Sequence, residues 1–330
     1  MGIVFLVFGA FWVDLLVVYL VFGLVLSFPR DFFDMNKYIV AVSGGVDSVV
    51  LLDMLVTKKL PTTYPFGYSQ GLRHLLPTNY QLIVAHFDHG IRDDSAGDAI
   101  FVAKLAKKYG LQYITKREEL GPNASEEKAR DQRYAFLRSV AVKHNAKLVT
   151  AHHANDVIES IAINLTRGTG WRGLAVLDSE VLRPLTAMTK SEIMDYAISN
   201  KLKWCEDSTN SSDIYLRNRI RQKTIKLDQD IKRQLLCLWS AQKELKLLIE
   251  NESAKLIGEG PIYSRYFFAH MDDRIGSELI RYIVKWQLTR PQRVKALHAI
   301  KTFRPNKTYL AGDGVIINFT SRNFTVKLIK

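Results

Sequence analysis

Six residues, Ser43-Gly44-Gly45-Val46-Asp47-Ser48, join an apolar run, Tyr38-Ile39-Val40-Ala41-Val42, to a stretch whose apolar positions Val49, Val50, Leu52, Leu55 and Val56 predict a helix. Adjacent glycines ahead of a helix let the backbone approach an anion closely, so that free amide N–H groups and the positive end of the helix dipole face it. Ser43 and Ser48 offer hydroxyl donors as well. No Gly-Lys-Ser/Thr follows, which excludes a Walker loop, and the G-x-G-x-x-G dinucleotide fingerprint is absent too. With the carboxylate of Asp47 in place of a lysine, the loop suits Mg²⁺-bound pyrophosphate as a leaving group. The plain alternative is a Gly-Gly turn, but a turn alone does not call for two serines and an aspartate at a helix start.

Three further clusters carry polar chemistry. His86-Phe-Asp88-His89-Gly90-Ile91-Arg92 ends a second predicted strand, Ala129-Arg130-Asp-Gln-Arg133-Tyr134 lies on a long helix, and Ala151-His152-His153-Ala-Asn155-Asp156 ends a later strand. In a parallel sheet the carboxyl ends of strands share one edge, where such folds bind ligands, so these clusters are expected to form one site. Taken singly, each histidine could be a satisfied polar residue and each arginine a solvated helix charge.

The elements that must position them alternate. Strands are predicted at Tyr38–Val42, Leu82–Phe87, Gln112–Thr115, Lys147–Ala151 and Val181–Thr186, with helices over residues 46–59, 99–108, 125–143, 155–166 and 189–200. Ser125 and Thr189 are the expected N-caps, Thr189 with Glu192 as a capping box, and the Pro- and Gly-containing residues 61–80 read as a loop. The fold class is therefore α/β, a parallel sheet with helices on both faces, spanning residues 35–215. Residues 216–330 form a smaller helical unit, with Ile231, Leu235, Leu238 and Leu245 offering an apolar helix face, that ends in a short β meander turned at Gly312-Asp-Gly314. The 46 basic against 33 acidic residues give a net charge of +13, which favours an anionic macromolecular partner, nucleic acid first. The two cysteines, Cys205 and Cys237, form no C-x-x-C, which argues against a disulfide framework, a zinc finger or a cysteine-bound iron–sulfur cluster and fits a reducing, cytoplasmic setting.

Residues 1–34 stand apart: Ile3–Phe28 is apolar over the length of a bilayer span, broken only by Asp14. Two readings stay open, an N-terminal membrane anchor with Arg30 and Lys37 on the cytoplasmic side, or, the favoured one, a misassigned start with translation from Met35. A signal peptide fits less well, because no basic residue precedes the run and no A-x-A-like site follows.

Together with Arg167-Gly-Thr-Gly170-Trp-Arg172-Gly173, Glu206-Asp207-Ser-Thr-Asn210 and Tyr215-Leu-Arg217-Asn218-Arg219-Ile220-Arg221, these motifs resemble the tRNA(Ile)-lysidine synthase family over residues 37–221. The Ser-Gly-Gly-Val-Asp-Ser loop resembles that of the ATP-pyrophosphatase, or PP-loop, superfamily, and the resemblance implies an adenine nucleotide alpha hydrolase-like fold. It implies a ligase that uses ATP and Mg²⁺ to adenylate the wobble cytidine of an isoleucine tRNA with a CAU anticodon, and then joins free L-lysine to its C2. On this reading Ser43–Ser48, His86 and Asp88 bind ATP, Asp47 and Asp156 carry the Mg²⁺, and Arg130 meets developing phosphate charge. His152 or Asp156 takes the proton of the attacking amine, while Asp88 or Glu159 holds the lysine ammonium. Arg133, Arg167, Arg172, Arg217, Arg219 and Arg221 contact tRNA, and a homodimer stays open. The sequence departs from the family pattern at Asn155, where the first of two adjacent aspartates is usual, and at Val157, where glutamine is common; asparagine keeps hydrogen bonding but loses charge. The rivals are a tRNA thiolase, which commonly needs C-x-x-C pairs that this chain lacks, a non-catalytic RNA-binding protein on a decayed scaffold, and a membrane-tethered signalling protein.

Overall fold

The computed structural model describes residues 36–61, 76–77, 79–90, 95–119, 121, 126–206, 216–258 and 260–329. The hydrophobic segment 1–34, most of the loop 61–80 and the Ser125 cap lie outside them, and no described helix is long and apolar enough to cross a membrane. The described chain divides into two compact units, the first ending at Cys237 and the second comprising Gly170–Ala175 and Leu238–Lys330.

The first unit is built on a parallel sheet of β1 (Lys37–Ala41), β2 (Gln81–Asp88), β3 (Gln112–Arg117) and β4 (Lys147–Val149), in the order β3-β2-β1-β4. Its helices are α1 (Val46–Val56), α2 (Ser95–Lys108), α3 (Glu126–Lys143), α4 (Ala154–Thr166), α5 (Lys190–Ser199) and α6 (Leu216–Ile225). The long α7 (Gln229–Ile257) begins in this unit and runs on into the second. Because side chains alternate along a strand, Tyr38, Val40 and Val42 enter one core with α1, α2 and α5 residues, whereas Ile39 enters another with Tyr134, Leu137 and Val140 of α3. Tyr38, Ile39 and Val40 are wholly buried, as expected of a strand covered on both faces. Each such side chain contributes about 1.5–3 kcal/mol relative to exposure.

Strand order reverses at β1. The chain moves from β1 through β2 to β3 and then crosses back to place β4 on the other side of β1, which opens a crevice beyond the carboxyl ends of β1 and β4. The strand expected over Val181–Thr186 is reduced to one parallel bridge, Leu182 with Val149, followed by a 3₁₀ turn at Pro184–Ala187. Pro184 has no N–H for the ladder, so pairing ends before it. The capping box of α5 forms as expected, Glu192 N–H donating to Thr189 Oγ1 at 3.3 Å and Thr189 N–H to Glu192 Oε2 at 2.6 Å.

The second unit continues with β5 (Ile262–Ser264), α8 (Arg265–His270), α9 (Asp273–Ile283), α10 (Arg290–Thr302), β6 (Thr308–Gly312), β7 (Val315–Phe319) and β8 (Asn323–Leu328). The predicted meander is present, and β5 extends it to an antiparallel sheet ordered β5-β8-β7-β6. Leu279, Ile280 and Ile283 of α9 and Ala296, Leu297 and Ile300 of α10 pack with Ile317, Phe319 and Phe324 of this sheet. The apolar face expected on α7 is corrected: Ile231, Leu238 and Leu245 are exposed, whereas Leu236 and Trp239 are buried. Apolar residues surround much of this helix, so the pattern admitted two faces, and the one carrying the large indole is covered.

Candidate active site

The phosphate loop is held by Ser48. Its hydroxyl accepts from Ser43 N–H and Gly44 N–H, each at 3.2 Å, and donates to Gly45 O at 2.8 Å. Ser48 is thus buried inside the loop as its organiser, while Ser43 remains exposed. Gly44 has φ +101°, a conformation that L side chains rarely adopt, and Gly45 is the N-cap of α1 without a side-chain partner. The amides of Gly45, Val46 and Asp47 find no acceptor among the described residues, as the first turn of a helix requires when nothing caps it. Three convergent donors on the positive end of a helix form an anion cradle. His86 lies buried behind it, its Nδ1 2.8 Å from Val42 O and its Nε2 without a partner. A buried ring nitrogen left open beside the cradle fits a nucleotide better than a purely structural turn.

Asp47 projects from this first turn into a charged cluster that joins the ends of β1 and β4. Lys190 Nζ donates to Asp47 Oδ1 at 2.6 Å, and His153 Nε2 lies 3.9 Å from Asp47 Oδ2 and 3.6 Å from Asp156 Oδ2. Asp156 also accepts from the backbone N–H of His153 at 2.9 Å, which fixes its carboxylate at the start of α4. The two carboxylates expected to carry Mg²⁺ therefore face one imidazole nitrogen. Their hard oxygen donors suit that ion, although no cluster of three or more His, Cys, Asp or Glu side chains shaped for a metal occurs among the described residues.

His152 shares a hydrogen bond with Thr150 Oγ1 at 2.9 Å. Burial pushes its pKa down to about 4; Asp156 opposes the shift, and the charges of Arg183, Arg130 and Arg133 add to it. His152, Asp156, Arg130 and Arg133 thus share one neighbourhood, with both guanidinium groups over the Tyr134 ring at 5.4 and 5.6 Å. Arg183, to which the sequence reading gave no role, is fixed there by donating to Leu177 O at 2.7 Å and Val181 O at 3.0 Å.

Other expected residues have different surroundings. Asp88 is buried at the end of β2, where it accepts from Gly90 N–H at 2.9 Å and lies 3.5 Å from Arg117. Glu159 is buried on α4 and accepts from Arg221 Nε at 3.0 Å, so that these two side chains, expected to bind lysine and tRNA, are paired with each other. Arg172 is turned inward within the second unit. Its Nε and Nη2 donate to Glu278 Oε2 at 3.1 and 2.7 Å, Glu250 lies 3.5 Å away, its guanidinium stacks 4.6 Å from Trp171, and its side chain is 10% exposed. An RNA contact by Arg172 would have to share or displace these carboxylates. Arg167 and Arg219 are exposed, and the Arg217 side chain lies outside the described residues.

Lys190 is the residue at this cluster that sequence reasoning missed, and His153, named in the His-His cluster, was given no role of its own. Lysine in the first turn of a helix opposes the dipole, and its place directly after the Thr189 cap was the available signal. Asn155 explains itself here: its Oδ1 accepts the backbone N–H of Lys190 at 3.0 Å.

A family model described as PP-loop domain matches residues 25–227. The chain belongs to the PP-loop family. Curated relatives of this PP-loop chain include tRNA(Ile)-lysidine synthase of Rickettsia bellii (strain OSU 85-389), 33% identical over 255 residues that cover 73% of this chain and 54% of that protein. The protein of that name from Lactobacillus johnsonii is 36% identical over 204 residues, 58% of this chain and 43% of its own, and that of Thermosipho africanus 34% over 206 residues, 59% and 44%. The PP-loop chain spans about half the length of these relatives.

Proposed function

We propose that this PP-loop protein is a tRNA-modifying ligase that consumes ATP to adenylate the wobble cytidine of an isoleucine tRNA and replaces the adenylate with free lysine. The observation that carries the reading is the meeting of the phosphate-loop Asp47 with His153 and Asp156, in a chain whose curated relatives bear the lysidine synthase name. Mg²⁺, held by Asp47 and Asp156, would neutralise phosphate charge.

Each remaining task has a group suited to it. The free amides of Gly45, Val46 and Asp47 would receive phosphate oxygens, and Arg130 and Arg133, near His152, would meet negative charge as it develops. His152 is an unprotonated imidazole at neutral pH, able to accept the proton that the lysine amine must lose. Burial keeps its pKa low, with the charges of Arg183, Arg130 and Arg133 adding to the shift, and an anionic substrate that neutralises those charges relieves that smaller part. Lysine recognition by Glu159 requires Arg221 to share or leave that carboxylate, and Asp88 stands in the same relation to Arg117. An anticodon base needs little unstacking to reach such a site.

The test is release of pyrophosphate and AMP from ATP by the full chain with a CAU-anticodon isoleucine tRNA. Pyrophosphate release that requires the tRNA, together with AMP release that requires both the tRNA and lysine, supports the reading. AMP release that ignores lysine points to another nucleophile.

A further inference from the structure

We propose that Trp286 and Arg281 form a stacking platform for an unpaired base of single-stranded RNA, the ring taking the base and the guanidinium the adjoining phosphate. The proposal deepens the RNA-binding part of the reading above and rests on neither ATP nor lysine.

Trp286 lies in the turn after α9, where Lys285 and Trp286 both have left-handed backbone, at φ 47° and 71°. Backbone hydrogen bonds close the turn, Lys285 N–H donating to Tyr282 O and Trp286 N–H to Arg281 O, each at 3.3 Å. Glycine or asparagine is the usual occupant of such a position, and a bulky side chain there is strained. The strain does not serve to bury the ring, because Trp286 is 47% exposed. Backbone strain of this kind gathers where a side chain is held for a ligand.

Its neighbours are cationic. The guanidinium of Arg281 lies 4.8 Å from the Trp286 ring centre, that of Arg172 5.6 Å and Lys246 Nζ 5.9 Å. Burial lowers the pKa of Arg281, the charges of Arg172 and Arg293 add to the shift, and Glu278 and Glu250 oppose it. Four cations, Arg172, Lys246, Arg281 and Arg293, therefore share two carboxylates, and Arg172 already lies 2.7 Å from Glu278 and 3.5 Å from Glu250. Arg281 carries the imbalance: its Nε is buried and has no hydrogen-bond partner among the described residues. A part-buried guanidinium in excess of its counter-charges calls for an anion from outside. An acidic peptide would answer the charge and leave the ring bare, whereas RNA brings a planar base beside each phosphate, free to stack where the strand is unpaired.

Titration of the full chain with a dye-labelled single-stranded RNA of about ten nucleotides, with the same sequence as a duplex and poly-L-glutamate alongside, tests this by fluorescence anisotropy. Trp286→Gly, which relaxes the left-handed backbone, is expected to weaken single-strand binding about tenfold, with duplex binding within about twofold and little change in melting temperature. Trp286→Phe keeps a ring and most of the affinity. Arg281→Ala is expected to lower the slope of log affinity against log salt by about 1. Unchanged single-strand binding in Trp286→Gly overturns the proposal, as does an equal loss on the duplex or an equal loss in Trp286→Phe. Poly-L-glutamate binding that depends on the same two residues overturns it too, and assigns the surface to acidic protein. A parent chain that binds no RNA overturns the tRNA part of the reading itself, and the proposal with it.

Discussion

Asn155 Oδ1 accepts the backbone N–H of Lys190 at 3.0 Å, so the first turn of α4 caps the first turn of α5 at the edge of the site. A residue that departs from the family pattern thus works as a helix cap, for which an amide oxygen serves as well as a carboxylate. Asn155→Ala is expected to cost about 1 kcal/mol of stability and to slow tRNA-dependent pyrophosphate release several-fold, whereas Asn155→Asp keeps the bond and most of both. Thermal melts and initial rates on the same preparations check this.

Gly44→Ala isolates backbone conformation from steric fit. The nearest atom to an added Cβ is Cys205 Sγ at 3.5 Å, an ordinary contact, so the expected penalty of about 1–3 kcal/mol comes from φ +101° alone. Because the strained residue shapes the cradle, ATP binding should fall more steeply than stability, as titration calorimetry beside denaturant melts will read.

The two units were not equally legible in the sequence. The phosphate loop could be read because the residues that make it are contiguous and glycine, serine and aspartate have few other reasons to stand together after a buried strand. Lys190 could not, because it meets Asp47 across 143 residues of sequence and only the sheet topology brings them together. The partners of Arg172 were hidden for the same reason, since Glu250 and Glu278 lie 78 and 106 residues away. In the second unit α9 went unread, although Leu279, Ile280 and Ile283 repeat at helical spacing. Val181–Thr186 was taken for a strand on its apolar start, against the signal of Pro184.

The pH dependence of stability should reveal His152. Its pKa is about 4 in the folded protein and near 6.5 unfolded, so the unfolded chain binds the extra proton. Its contribution is fully present above about pH 6.5 and is lost as pH falls towards 4, by at most roughly 3 kcal/mol. Replacing it, as in His152→Gln, should flatten the denaturation midpoint across that window relative to the parent chain.

Arg172 and the exposed arginines should separate in their effects. Arg172→Ala removes the guanidinium from Glu278 and Glu250 and is expected to cost about 1.5–3 kcal/mol while leaving the salt dependence of RNA binding unchanged. Arg167→Ala and Arg219→Ala are expected to cost little stability, and each that contacts phosphate should lower the slope of log affinity against log salt by about 1. Filter binding over a salt series, with melts alongside, distinguishes the two classes.

The most direct measurement of the central claim is transfer of radiolabelled lysine to isoleucine tRNA by the full chain with ATP and Mg²⁺. Label is expected in the CAU-anticodon tRNA, dependent on ATP and on the wobble cytidine, and absent with Asp47→Ala. Label that persists when the wobble cytidine is replaced, or no label while the same preparation binds ATP and the tRNA, would contradict the claim.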